Sequence, residues 1–320
     1  MPLADLLPIA GALSAPAFLL IFALAALGAP FFAFLYLLTA ALRSSPHLEA
    51  YASRLLRMAL TCAVPSLLIA FASAGLAGYR TPWLMDWVRA APLPPALLGL
   101  ASLAFCASLL TLRRRTPRHG RLGSPLGQAF ILAILAGGLL WLGLALSTAL
   151  QEQARAVLHA PSESGLGVAP LILPDVTTMP GLGFALAAAL VLGGLAAGAI
   201  SLEYLLLRRD REPFGRDALS YMLRMAARGT LRCALLAAAF IVALWLRLPD
   251  MPTAPGGDIA PKLLLGVCTV ACALVFLFSQ LVAHSRRPWD RALTIHANML
   301  ALWLGLTALL SLGLINFYAG

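Results

Sequence analysis

The sequence predicts an all-α, polytopic membrane protein with eight transmembrane helices arranged as two tandem four-helix bundles. Three observations predict it. Of the 320 residues, 61% are hydrophobic and only 11% charged, against about 25% charged in a soluble domain. The apolar residues gather into eight runs, most reaching the roughly 20 residues a helix needs to cross a bilayer. The second half of the chain also repeats features of the first in the same order.

The runs are delimited by charge, proline or glycine. Span 1 (13–42) closes at Arg43, and its length, with no basic residue before it, marks a span rather than a cleaved leader. Span 2 (54–79) runs up to Arg80, span 3 (94–113) up to the arginines at 113–115, and span 4 (125–150) from Pro125 to Gln151. Span 5 (181–207) follows Pro180 and stops at Arg208. Span 6 (218–247) follows Asp217, span 7 (262–284) starts at Lys262, and span 8 (292–318) follows Arg291. Pro30, Pro65, Gly193 and Gly194 fall inside spans, where neighbouring helices can compensate the backbone.

The expected domains are 1–150, the first bundle; 151–180, an extracytoplasmic linker rich in Pro, Gly and Ser; and 181–320, the second bundle. The repeat rests on LRM at 56–58 and 223–225, a shift of 167, and on "LLWLGLAL" (139–146) against "ALWLGLTAL" (301–309), a shift of 162. Four spans per unit insert both copies the same way round, as a parallel repeat about an axis along the membrane normal.

Charge sets the orientation. Loops after spans 1, 3, 5 and 7, with the adjoining span ends, hold sixteen basic residues against five on the opposite side. Basic loops stay in the cytoplasm, so both termini are expected on the extracytoplasmic side of a bacterial inner membrane, with Trp83, Trp87 and Trp245 near the outer interface. The net charge of +10 is thereby assigned to topology rather than to nucleic acid. The five cysteines lie inside apolar runs without a CxxC pair and read as small packing residues.

The stretch Cys233–Leu246 holds 14 uninterrupted apolar residues, about 21 Å of helix against a hydrocarbon core of about 30 Å. A spanning helix therefore carries Arg232 and Arg228 into the membrane. At the 167 shift, Glu203, Arg228 and Arg232 face Tyr36, Thr61 and Pro65, so the second unit holds three charges that the first lacks. Arg224, Arg228 and Arg232, four apart, are expected on one face of span 6. Glu203 ends span 5, Gln280 and His284 end span 7, and His296 and Asn298 begin span 8, all at one level. Two readings compete, and specific lipid binding or a docking face for a partner makes up the remainder. In one, the arginines snorkel, Arg232 pairs with Glu203, and the pair locks helices. In the other, Glu203, Arg228, Arg232, His284 and His296 bound a polar pocket open to lipid. There an arginine or histidine donates to a quinone carbonyl and Glu203 or a histidine relays protons. No histidine lies in spans 1–6, so neither haem nor another metal is expected in this chain.

Two bundles of four in one chain resemble quinol-handling membrane subunits of bacterial respiratory complexes. "MPGLGFALAAALVLGGLAAGAISLEYLLLRRD" followed by "YMLRMAARGTLRC" resembles the second-bundle opening of cytochrome bd oxidase subunit I, although that family's haem-ligating histidines of the first and fifth helices have no counterpart here. "GYRTPW" and the closing "FYAG" are similar to stretches of the haem-free polysulfide reductase membrane-anchor (NrfD-like) family. The resemblance implies a quinone-interacting anchor, using menaquinone or ubiquinone and exchanging electrons with an iron–sulfur or multihaem cytochrome subunit. The other readings are a small-solute or lipid transporter built from the duplicated unit, and a structural scaffold surrounded by membrane lipids.

Overall fold

The structure is a computed structural model that describes residues 3–80, 82–90, 92–114, 125–159, 179–208, 215–248 and 259–319. Among these residues it is almost entirely helical, with no strand. The helices are α1 (Leu3–Arg43), α2 (Pro46–Arg80), α3 (Pro82–Ala90), α4 (Leu93–Arg114), α5 (Pro125–His159), α6 (Met179–Leu207), α7 (Gly215–Arg247), α8 (Ile259–His284) and α9 (Ala292–Ala319), with a 3-10 turn at Pro288–Arg291 before α9. A chain in hydrocarbon must satisfy its backbone internally, and helices do so within one segment. The described residues include seven helices long and apolar enough to cross a membrane; a shorter apolar helix covers Pro95–Thr111. The chain is a multi-pass helical membrane protein.

Several boundaries differ from the sequence reading. Helix α1 begins ten residues before the expected residue 13, at Leu3, and accommodates Pro8, Pro16 and Pro30. The expected linker starts late, because 151–159 continue α5; its QEQARAV segment is made largely of good helix formers. The rest of that linker, 160–178, lies outside the described residues. The third expected span is α4, whose apolar part of about 17 residues covers about 26 Å. Helix α3, carrying Trp83 and Trp87, is a short element that hydropathy alone does not delimit.

Packing follows a regular order. α1, α2, α4 and α5 pack consecutively and α5 returns against α1; α6, α7, α8 and α9 pack consecutively and α9 returns against α6. The halves meet chiefly where α1 lies on α6. Ala25, Ala29 and Ala33 are fully buried along α1, and Gly28 touches Gly193 so closely that a Cβ on Gly28 would overlap the Gly193 backbone. Lipid tails provide no hydrophobic drive between membrane helices, so close contact of small residues is what holds them. Gly194 rests on Phe32 and Cys233, and Gly198 on Thr230, which brings α7 against the other side of α6. Trp303 of α9 donates its indole N–H to the Ser14 carbonyl of α1 at 2.7 Å.

The arginine-rich ends are tightly turned. Ser44 adopts φ 49° after α1, the Ser45 N–H reaches back to the Ala40 carbonyl at 3.2 Å, and Pro46 opens α2, where its missing N–H costs nothing. Arg224 of α7 donates from Nε to the Ser285 carbonyl (3.2 Å) and from Nη2 to the Arg286 carbonyl (2.9 Å). It thereby ties α7 to the α8–α9 connection.

Candidate functional site

Three features stand out, two within α6–α9 and one between α7 and the first half. The first is an apolar cavity of about 280 Å³ lined by all four helices, with Leu192, Ala237, Phe240, Cys272, Val275 and Leu302 among its lining residues. The lining leaves it almost without polar groups. Its volume is near the lower edge of small-molecule pockets, about 300–1,000 Å³.

The second feature adjoins it. One turn from Val275 along α8 is Ser279, and one turn from Leu302 along α9 is Asn298. Both side chains are buried, Asn298 at 1% exposure. Ser279 Oγ and both carboxamide atoms of Asn298 have no hydrogen-bond partner. A buried amide left unpaired is costly, and native structures seldom keep one without a role. Beyond Asn298 toward the arginine-rich end, His296 Nδ1–H donates to Glu203 Oε1 at 2.8 Å. The histidine side chain is 57% exposed and the glutamate 18%. The pair joins α9 to α6.

The third feature is separate. Arg228 and Arg232 line a groove of about 320 Å³ with Tyr36, Thr39 and Arg43 of α1, Leu48 of α2, and Tyr221 and Met225 of α7. The expected Arg232–Glu203 pair does not form: Glu203 is bonded to His296, and among the described residues Arg232 has no ion pair. Helix phase explains this. Thr230 and Cys233 are the α7 residues against α6, and Arg228 and Arg232 each stand about 200° from Thr230. The three arginines do not act as one stripe either. Successive i, i+4 positions drift by about 40°, so Arg224 reaches the α8–α9 connection while Arg232 turns toward α1. The expected convergence in the second half therefore holds for Glu203 and His296, whereas Arg228 and Arg232 belong to the groove against the first half.

His284 is exposed at the end of α8, its Nδ1–H donating to the Gln280 carbonyl at 3.1 Å. The thiols serve packing: Cys268 Sγ donates to the Gly305 carbonyl and Cys272 Sγ to that of Ala234. Among the described residues no group of three or more His, Cys, Asp or Glu side chains is placed to hold a metal. Sequence reasoning missed Ser279, the cavity, and the contributions of Tyr36, Arg43 and Tyr221. Asn298 carries a readable signal, a carboxamide at a core position between Ile295 and Leu302. Compared with known proteins, the chain matches no protein-family model, no curated protein and no solved structure.

Proposed function

We propose that the protein is a quinone-binding integral subunit of a bacterial respiratory oxidoreductase, built as a tandem pair of four-helix units. The observation that carries this reading is the apolar cavity with a buried, unpaired Asn298 carboxamide and Ser279 hydroxyl one turn beyond its lining. Such a site suits a molecule that is apolar over most of its surface and bears hydrogen-bonding oxygens at one end. A quinone ring meets both demands. Asn298 Nδ2–H donates to a quinone carbonyl, and Asn298 Oδ1 accepts from a quinol hydroxyl.

The Glu203–His296 pair supplies the proton path. Oxidation of a quinol releases two electrons and two protons; the electrons pass to an iron–sulfur or multihaem cytochrome partner, and the two protons leave in turn through His296, backed by the Glu203 carboxylate, toward the arginine-rich end. Reduction runs the same path in reverse. Sixteen basic residues on one side against five on the other support a cytoplasmic arginine-rich end and extracytoplasmic termini. The four helices around the cavity run unbroken, unlike the discontinuous helices at many transporter sites.

Photolabelling of native membranes with an azido-quinone tests the reading. Label concentrated on the α8 and α9 peptides that carry Ser279 and Asn298 is the expected result. Label spread over all helices in proportion to their lipid-exposed area would reject it. Affinity purification from solubilised native membranes is expected to bring down a haem or iron–sulfur protein, and its isolation alone would remove the respiratory assignment.

A further inference from the structure

We infer that the groove between α1, α2 and α7 is a site for the phosphate group of an anionic lipid. This rests on residues other than those of the quinone site, so the two readings stand or fall separately.

Arg43, Arg228 and Arg232 line this one groove together with the polar side chains of Tyr36, Thr39 and Tyr221. No carboxylate lines it, and among the described residues none of the three arginines is held in an ion pair. Glu203, the nearest acidic candidate by sequence reasoning, is engaged by His296. Three guanidinium groups in one groove repel each other, and a phosphate is the ligand whose oxygens match their forked donors.

The position selects a lipid. Arg232 lies about 25 Å along the 33-residue α7, beside Tyr36 and Thr39 of the last turns of α1. The groove therefore opens at Arg43, where the first span ends, and runs inward along α7 to Arg228 and Arg232. Next along α7, Leu235 and Leu236 are 57% and 55% exposed, an apolar track for an acyl chain below the charged head. The walls are fixed by contact between the halves. The Tyr36 hydroxyl donates to the Met225 carbonyl at 3.3 Å, and the absence of a side chain at Gly229 lets that hydroxyl approach α7. Tyr36 also stacks edge-on with Tyr51, whose hydroxyl is 3.2 Å from Ser201 Oγ. Tyr36 is thus held through contacts that reach α2, α6 and α7.

Phosphatidylglycerol, phosphatidylcholine and inorganic phosphate are the probes. The purified chain in phosphatidylcholine nanodiscs is titrated with each lipid, and bound lipid is counted by native mass spectrometry after release. The wild type is expected to retain phosphatidylglycerol at least ten-fold over phosphatidylcholine. Arg228→Gln/Arg232→Gln is expected to abolish the preference, Arg43→Gln to reduce it several-fold, and Arg228→Lys/Arg232→Lys to keep part of it. Equal retention of the two lipids by the wild type, or an unchanged preference in Arg43→Gln and the double glutamine variant, would overturn the inference. Binding of inorganic phosphate with no preference between lipids would overturn the lipid assignment in favour of a free anion. The wild-type comparison needs no variant to fold.

Discussion

Asn298→Leu separates a ligand-binding amide from a packing residue, because the two roles predict opposite signs. In the ligand-free protein Asn298 buries two amide atoms without partners. Each such group costs about 1–3 kcal/mol, although membrane references that find other partners reduce polar contributions to an average of about 0.6 kcal/mol. Replacing the carboxamide with an apolar side chain of similar length should therefore stabilise the empty protein by about 1 kcal/mol or more. With a quinone bound, the same substitution removes one or two hydrogen bonds to the ligand. A loss of about 1.4 kcal/mol weakens binding ten-fold. At a ligand concentration of about 100 times the wild-type Kd, the wild type gains about 2.7 kcal/mol from binding and a ten-fold weaker variant about 1.4 kcal/mol. Thermal unfolding in detergent at a fixed scan rate, with and without a short-chain quinone analogue, reads both quantities. The expected pattern is a higher Tm for ligand-free Asn298→Leu and a smaller ligand-induced rise. Packing errors cancel when each variant is compared with itself. A lower ligand-free Tm together with a full-sized ligand-induced rise would refute the reasoning and leave Asn298 as a packing residue.

Three further outcomes follow from the same geometry. Gly28→Ala should lower stability by about 1–3 kcal/mol by overpacking, since its Cβ would overlap the Gly193 backbone, whereas Gly75→Ala, with open space around the position, should be neutral; thermal unfolding of both checks the contrast. Arg224→Ala removes two charge-assisted hydrogen bonds to the 285–286 backbone. Amide exchange in the α8–α9 connection should rise several-fold in that variant while exchange in α1 stays unchanged. Glu203→Gln keeps the shape of the His296 partner but removes its charge, so quinol turnover by the intact complex should fall with quinone affinity unchanged; equal losses in both would mark the pair as structural.

Most of the fold was legible because the bilayer imposes it. Length and apolarity alone locate the helices, as α6, α8 and α9 show by matching their expected spans within a few residues. The ends were less legible, since hydropathy marks hydrocarbon and not hydrogen bonding: polar but helix-favouring residues carry α5 on to His159. Glu203 and His296 were placed at one level by counting residues from the helix ends, and they meet. Arg232 was misassigned because spacing gives a face only relative to its own helix. The face that meets α6 is fixed by Gly198 against Thr230, a contact that only the packed structure supplies. The cavity was invisible for a related reason. Leu192, Val275 and Leu302 are indistinguishable in sequence from leucines and valines that face lipid.

The contact between halves gives them unequal roles. Glycine at 28 and 193 lets α1 and α6 touch backbone to backbone, and this depth of contact carries the end of α1 beside α7. Tyr36, Thr39 and Arg43 thereby become one wall of a groove whose other wall is Tyr221, Arg228 and Arg232. The apolar cavity, by contrast, is lined by α6–α9 alone. Both halves thus line the charged groove, while the C-terminal half alone lines the apolar cavity. Tyr36 stands where the sequence register of the expected repeat puts Glu203: Tyr36 bonds across the seam between halves to the Met225 carbonyl, whereas Glu203 binds His296 within the C-terminal half.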